Sequence, residues 1–119
     1  MSELTKLTTQ LVEFRNAREW EQFHTVKNLS AALVVEAAEL LEITQWRSDS
    51  QLDDEFSEPE LRDKLAQECA DVLIYLLLIC ERTGIDLRFS SESRHSVSSR
   101  LCLLYPRMRT CWAPPNNVR

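Results

Sequence analysis

Glu68 interrupts an apolar stripe. Leu61, Leu65, Glu68, Val72, Tyr75 and Ile79 follow one another by steps of four and three, which is the repeat of one helix face. Asp71 lies one turn beyond Glu68, at the edge of that face. A second acidic set, Glu36, Glu39 and Glu42, is stacked in the same way within the apolar run from Leu29 to Trp46. Burying an ionised carboxylate without a partner is costly, so two such sets predict a shared cation between two helices. Glu36/Glu39 and Glu68/Asp71 each pair residues three apart, with Cβ atoms about 5–6 Å from each other. Facing one another, four carboxylates could not all stay ionised without a positive ion. Oxygen ligands without histidine or cysteine point to Mg²⁺, with Mn²⁺ as a substitute, rather than to zinc. Mg²⁺ sites of this type bridge carboxylates to substrate phosphates, and the chemistry they suggest is hydrolysis of a phosphate or diphosphate ester.

Helices must carry these groups. Leu4, Leu7, Leu11 and Phe14 predict a first helix over about residues 3–18. Arg18–Asn28 is polar and aromatic without a clean period, and Asn28 is a suitable N-cap for the next helix. That second helix, about 29–46, is apolar on nearly all sides apart from its glutamates and is expected at the centre of the core. Residues 47–57 read as an acidic loop. Ser57-Glu58-Pro59-Glu60 reads as a capping box with proline in the first turn of a third helix. This helix should end near Thr83, with Gly84 as its left-handed cap. The fold class expected is all-α, an antiparallel helical bundle of three helices plus an uncertain C-terminal helix or tail.

Composition narrows the alternatives. Apolar residues make up 44% and charged residues 28%, with one glycine and four prolines, which suits a helical globular domain rather than a β-rich one. The longest apolar run, Val72–Cys80, is far shorter than the ~20 residues of a membrane span. The N-terminus lacks a basic start and an apolar signal core, so a cytoplasmic protein is expected. Cys69, Cys80, Cys102 and Cys111 show no CxxC spacing and are expected to be reduced. Charge divides the chain: residues 1–87 hold 8 basic and 18 acidic side chains, giving −10, and residues 88–119 hold 6 and 1, giving +5. The division expected is a catalytic helical core, 1–87, followed by an atypical Ser/Arg-rich segment, 88–119. The acidic core argues against nucleic acid as a partner.

Trp20, Phe23, His24, Trp46 and Tyr75 flank the acidic helices and are of the right type to stack on a nucleotide base. Arg18, Lys27 and Arg47 are candidate phosphate contacts. Other readings share some of this spacing. Glu21-Gln-Phe-His24 and Glu92-Ser-Arg-His95 have the Glu-x-x-His form of di-iron carboxylate bundles. A helical interaction module that binds nucleotide without turnover is a further alternative.

The segments FRNAREWEQFHTVKNLSAALVVEAAELLEITQW and LAQECADVLIYLLLICERTGIDL resemble the MazG-like all-α nucleoside triphosphate pyrophosphohydrolases, closest to their dCTP pyrophosphatase branch. Their signature, ExxE followed by ExxD, matches Glu36-Ala-Ala-Glu39 and Glu68-Cys-Ala-Asp71. The resemblance implies Mg²⁺-dependent cleavage between the α and β phosphates of a nucleoside triphosphate. It assigns the metal to Glu36, Glu39, Glu68 and Asp71, and a positioning role for a ligand or the attacking water to Glu42. It places Trp20, His24, Trp46 and Tyr75 at the base pocket, and Asn28 joins them as an expected substrate-binding residue. It also implies a homo-oligomer, dimer or tetramer, that removes surplus or non-standard nucleotides. The C-terminal segment departs from the pattern: Tyr105-Pro106 is present, but HSVSSRLCLL before it lacks the family's Lys and Asn.

Overall fold

The computed structural model describes residues 2–87; the predictions made for the C-terminal segment, including Glu92, His95, Cys102, Cys111 and Tyr105-Pro106, lie outside the described residues. Four α-helices follow in order: α1 (Glu3–Ala17), α2 (Val26–Thr44), α3 (Asp49–Glu55) and α4 (Pro59–Thr83), with a 3-10 turn over Trp20–Phe23 between the first two. There is no strand among the described residues. The all-α expectation therefore holds, and the described residues contain one helix, α3, beyond the three predicted for this part of the chain.

The helix starts follow from capping chemistry, though not always at the predicted residue. Ser2 caps α1 by accepting from the Thr5 amide. Thr25, not Asn28, caps α2: its hydroxyl accepts from the Asn28 amide at 3.1 Å, so the helix begins three residues earlier than expected. Asn28 instead sits in the first turn, where its Nδ2 donates to the Phe23 carbonyl at 2.9 Å and ties the 3-10 turn to α2. The expected loop 47–57 contains α3, because Ser48 and Gln51 form a reciprocal capping box there. The box expected at Ser57 does not form. Ser57 donates to the Asp54 carbonyl, Glu58 occupies the N-cap of α4 without a side-chain cap bond, and Pro59 starts the helix. Gly84 closes α4 at φ +68°, the left-handed conformation that glycine adopts without strain.

Helices α2 and α4 form the main packed pair. They run antiparallel: Glu36 and Glu39 lie beside Glu68, whereas Ile43 and Arg47, further along α2, share a cavity with Leu61 and Lys64, earlier on α4. Leu29 of α2 and Leu61, Leu77, Leu78 and Cys80 of α4 are the buried apolar side chains. The expectation that α2 lies at the centre of the core is not met in the single chain. Val34, Val35 and Leu41 are more than half exposed, because α4 covers only one side of this helix.

Leu78 is 4% exposed and is one of few fully packed positions. Leu78→Ala is expected to cost about 2–5 kcal/mol of stability, read as a lower midpoint of urea unfolding with an unchanged slope. A loss below about 1 kcal/mol would show that this end of α4 is not the core.

Candidate metal centre

The α2–α4 seam gathers the acidic residues. Glu36, Glu39 and Glu68 each bring a carboxylate oxygen within 4.8 Å of the other two. The periodicity explains the meeting: both helices place the acids on the side that faces the neighbouring helix, and the antiparallel pairing aligns the two sets. Glu36 and Glu68 are half-buried and Glu39 is exposed. Oε2 of Glu68 is enclosed and has no hydrogen-bond partner. None of the ion pairs among the described residues involves any of these groups.

This crowding has an electrostatic consequence. Glu36 is pushed above the usual carboxylate range, first by burial and then by the charges of Glu39, Asp71 and Glu68. Glu68 is pushed up likewise, by burial, Glu39 and Asp71. Asp71 is thus close enough to act on both glutamates, although it stands outside the tight group of three. Glu42, one turn beyond Glu39, is exposed and also outside it. Three converging oxygens, one of them enclosed and unpartnered, with no balancing cationic side chain, are a donor set suited to a hard divalent cation.

The aromatic and polar positions are more dispersed. Trp20 packs edge-on to Phe14, with ring centroids 5.9 Å apart. His24 ends the 3-10 turn, half-buried, with its Nδ1 enclosed and without a partner. Tyr75 is half-buried on α4, one turn beyond Asp71. Trp46, just past the end of α2, is 85% exposed and touches no other ring among the described residues.

Two of the three candidate phosphate contacts already have partners. The Arg18 guanidinium lies 3.4 Å from the centre of the Phe14 ring, a cation–π stack. Arg47 pairs with Glu55 at 2.7 Å and donates to the Ile43 carbonyl. Lys27 is exposed on the first turn of α2. The Glu21-x-x-His24 motif stays apart from the acidic cluster. Glu21 faces Arg82 at 3.8 Å, and no histidine joins the three carboxylates among the described residues.

Arg15 was missed by sequence reasoning. It is 4% exposed, and its Nη1 donates to Glu81 Oε2 of α4 at 2.8 Å. The signal was available, because Arg15 follows Leu11 by four residues and continues the Leu4, Leu7, Leu11 stripe. Phe14, three residues beyond Leu11 and the position expected on that stripe, is half exposed instead.

The chain matches known proteins along this same region. The MazG-like family description matches residues 31–90. Over 75 residues the chain is 45% identical to dCTP pyrophosphatase 1 of Rattus norvegicus, a match covering 63% of this chain and 44% of that protein. It is 40% identical over 88 residues to dCTP pyrophosphatase 1 of Homo sapiens, covering 74% and 52%. The chain thus spans about half the length of the curated relatives it matches. A crystal structure of a pyrophosphatase from Archaeoglobus fulgidus superposes with a TM-score of 0.66 at 30% identity, over 96% of this chain and 95% of that one. The paired acidic helices and these matches agree, and this chain belongs to the MazG-like family.

Proposed function

We propose that this chain is a Mg²⁺-dependent nucleoside triphosphate pyrophosphohydrolase that cleaves the α–β phosphate bond, with dCTP or a related pyrimidine nucleotide as its preferred substrate. The observation that carries the reading is the set of Glu36, Glu39 and Glu68 oxygens within 4.8 Å of one another, with Glu68 Oε2 enclosed and unpartnered. Its relatives named dCTP pyrophosphatase 1 support the substrate class. The catalytic core is residues 1–87, and the substrate is the free nucleotide of the cytoplasmic pool.

Glu36, Glu39, Glu68 and Asp71 would hold the ion. When bound, Mg²⁺ supplies the positive charge that offsets the triphosphate and makes its α-phosphorus more open to attack. Trp20, His24, Asn28, Trp46 and Tyr75 engage the nucleoside. The glutamate stripe, ending in Glu42, orients a water toward the α-phosphorus. The water oxygen bonds to phosphorus as the bond to the α–β bridging oxygen breaks, and the water's proton passes to a carboxylate. Monophosphate and pyrophosphate are the products. Positioning by a rigid helix pair supplies much of the acceleration.

The exposed Val34, Val35 and Leu41 on α2 support a homo-oligomer that covers this face.

A panel of nucleoside triphosphates incubated with Mg²⁺, with monophosphate, pyrophosphate and orthophosphate assayed separately, tests the reaction. Equal monophosphate and pyrophosphate are expected. Orthophosphate as the product would move the cleavage point and overturn the assignment. Trp46→Ala is expected to raise KM severalfold while changing stability by less than about 0.5 kcal/mol, since the side chain is 85% exposed. Chemical denaturation and initial rates measured together check this, and an unchanged KM would remove Trp46 from the base site.

A further inference from the structure

Trp46 stands in the short turn between α2 and α3 with almost no packing of its own. It is 85% exposed, so the direction of its ring is set by the backbone that carries it. That backbone needs an outside hold. α3 has seven residues and none of them is buried. A helix of this length is marginal without tertiary support. The turn itself is closed by the Arg47 amide, which donates to the Thr44 carbonyl at 3.0 Å, and by the capping box of Ser48 and Gln51.

Arg47 ties these pieces together. Its Nε donates to Glu55 Oε2 at 2.7 Å, eight residues on, at the last residue of α3. Its Nη1 donates to the Ile43 carbonyl in the last turn of α2. A cation at this helix end also meets the negative pole of α2. One guanidinium therefore grips the end of α2 and the far end of α3, and Trp46 lies directly before it. Among the described residues, no other ion pair reaches α3. Arg47 and Glu55 also line a cavity of about 390 Å³ with Ile43, Leu61 and Lys64, so apolar packing does not close this corner of the molecule.

We infer that the Arg47–Glu55 clasp is a positioning device that holds the α2–α3 turn and so presents Trp46 to the nucleotide base. Arg47 and Glu55 act through the tryptophan and not on the phosphates. The contact of Trp46 with the base rests on the nucleotide-hydrolase reading above; the holding of the turn does not. The size of the effect follows from the exposure of the pair. Its side chains are 37% and 41% exposed, so water screens the charges and the clasp tunes affinity without deciding whether the chain folds.

The test compares neutral variants in the full chain. Arg47→Gln and Glu55→Gln are each expected to raise KM for dCTP about threefold, the scale of an exposed ion pair, with kcat unchanged within about twofold. In a Trp46→Ala background neither should raise KM further, because the residue through which they act is gone. Backbone ¹⁵N order parameters of Trp46, Arg47 and Ser48 are read without nucleotide. They are expected near about 0.85 in the unaltered protein and to fall toward about 0.6 in Glu55→Gln. A phosphate contact by Arg47 would give the opposite pattern: Arg47→Gln would raise KM, while Glu55→Gln, by freeing the guanidinium, would lower it or leave it unchanged. That pattern overturns the proposal. So does a rise in KM that is equally large with and without Trp46, and so do order parameters that Glu55→Gln leaves unchanged. If the unaltered protein hydrolyses no nucleotide, the hydrolase reading fails and the base contact with it, while the order parameters still decide whether the clasp holds the turn.

Discussion

Glu68→Gln is expected to lower pyrophosphate release at least about a hundredfold, the usual scale for removing a group that supports transition-state charge, while the metal-free protein becomes no less stable. The substitution keeps the side chain's size and hydrogen-bonding shape. What it removes is a charge that burial, Glu39 and Asp71 all oppose, together with an enclosed oxygen that has no partner in the chain. In the absence of an ion that charge works against folding, so its loss relieves the α2–α4 seam. Activity and stability should therefore move in opposite directions, which is unusual for a substitution on a core-facing helix. Rates at saturating Mg²⁺ and nucleotide, set beside thermal melts in chelator, check both halves. Full turnover in the variant would remove Glu68 from the catalytic centre. A marked drop in the melting temperature of the metal-free form would identify Glu68 as a structural residue.

Chelating the divalent cation should abolish turnover and should also change how stability depends on pH. Glu36 and Glu68 both lie above the ordinary glutamate value of 4.5 in the folded chain. Between that value and their raised ones, the folded state binds more protons than the unfolded state. By linkage, stability then falls as pH rises through this window. The favourable contribution is fully present below the ordinary value and is lost above the raised ones, so at neutral pH the metal-free seam carries the whole cost of its repulsion. An added cation that takes up the carboxylate charge should flatten this slope and raise the melting temperature most at the higher pH. Melts across the acid-to-neutral range, with EDTA and with Mg²⁺, give two curves that should converge at low pH and separate as pH rises. Parallel curves would mean that the ion binds elsewhere.

These expectations join two helices that are far apart in sequence, and local and long-range information contribute differently to them. The acidic stripes were legible because a helix repeats every 3.6 residues. Glu36/Glu39 and Glu68/Asp71 share faces whatever the rest of the chain does. Gly84 at the end of α4 was legible for a similarly local reason, since a left-handed cap favours a residue without Cβ. Capping was legible in kind but not always in place. Thr25 rather than Asn28 starts α2, and Ser48 rather than Ser57 supports a box, because several polar residues near each helix start compete for the same free amides. The choice among them is made by where the chain must turn to pack α2 on α4.

The sequence by itself determined the helical class, the acidic faces and the family to which they belong. Each of these depends on spacing along the chain, or on residue types that a single helix turn brings together. The tertiary structure alone decided which carboxylates converge. Glu36, Glu39 and Glu68 meet tightly, Asp71 stands at their edge and Glu42 apart, because the antiparallel register of α2 on α4 sets the distances across the seam. It alone revealed that Arg15 is buried against Glu81, since an ion pair between residues so distant in the chain exists only once α1 lies against α4. It also left the apolar Val34, Val35 and Leu41 uncovered. Hydrophobicity states that a surface should leave water; only the packing of neighbours decides whether one chain can achieve it.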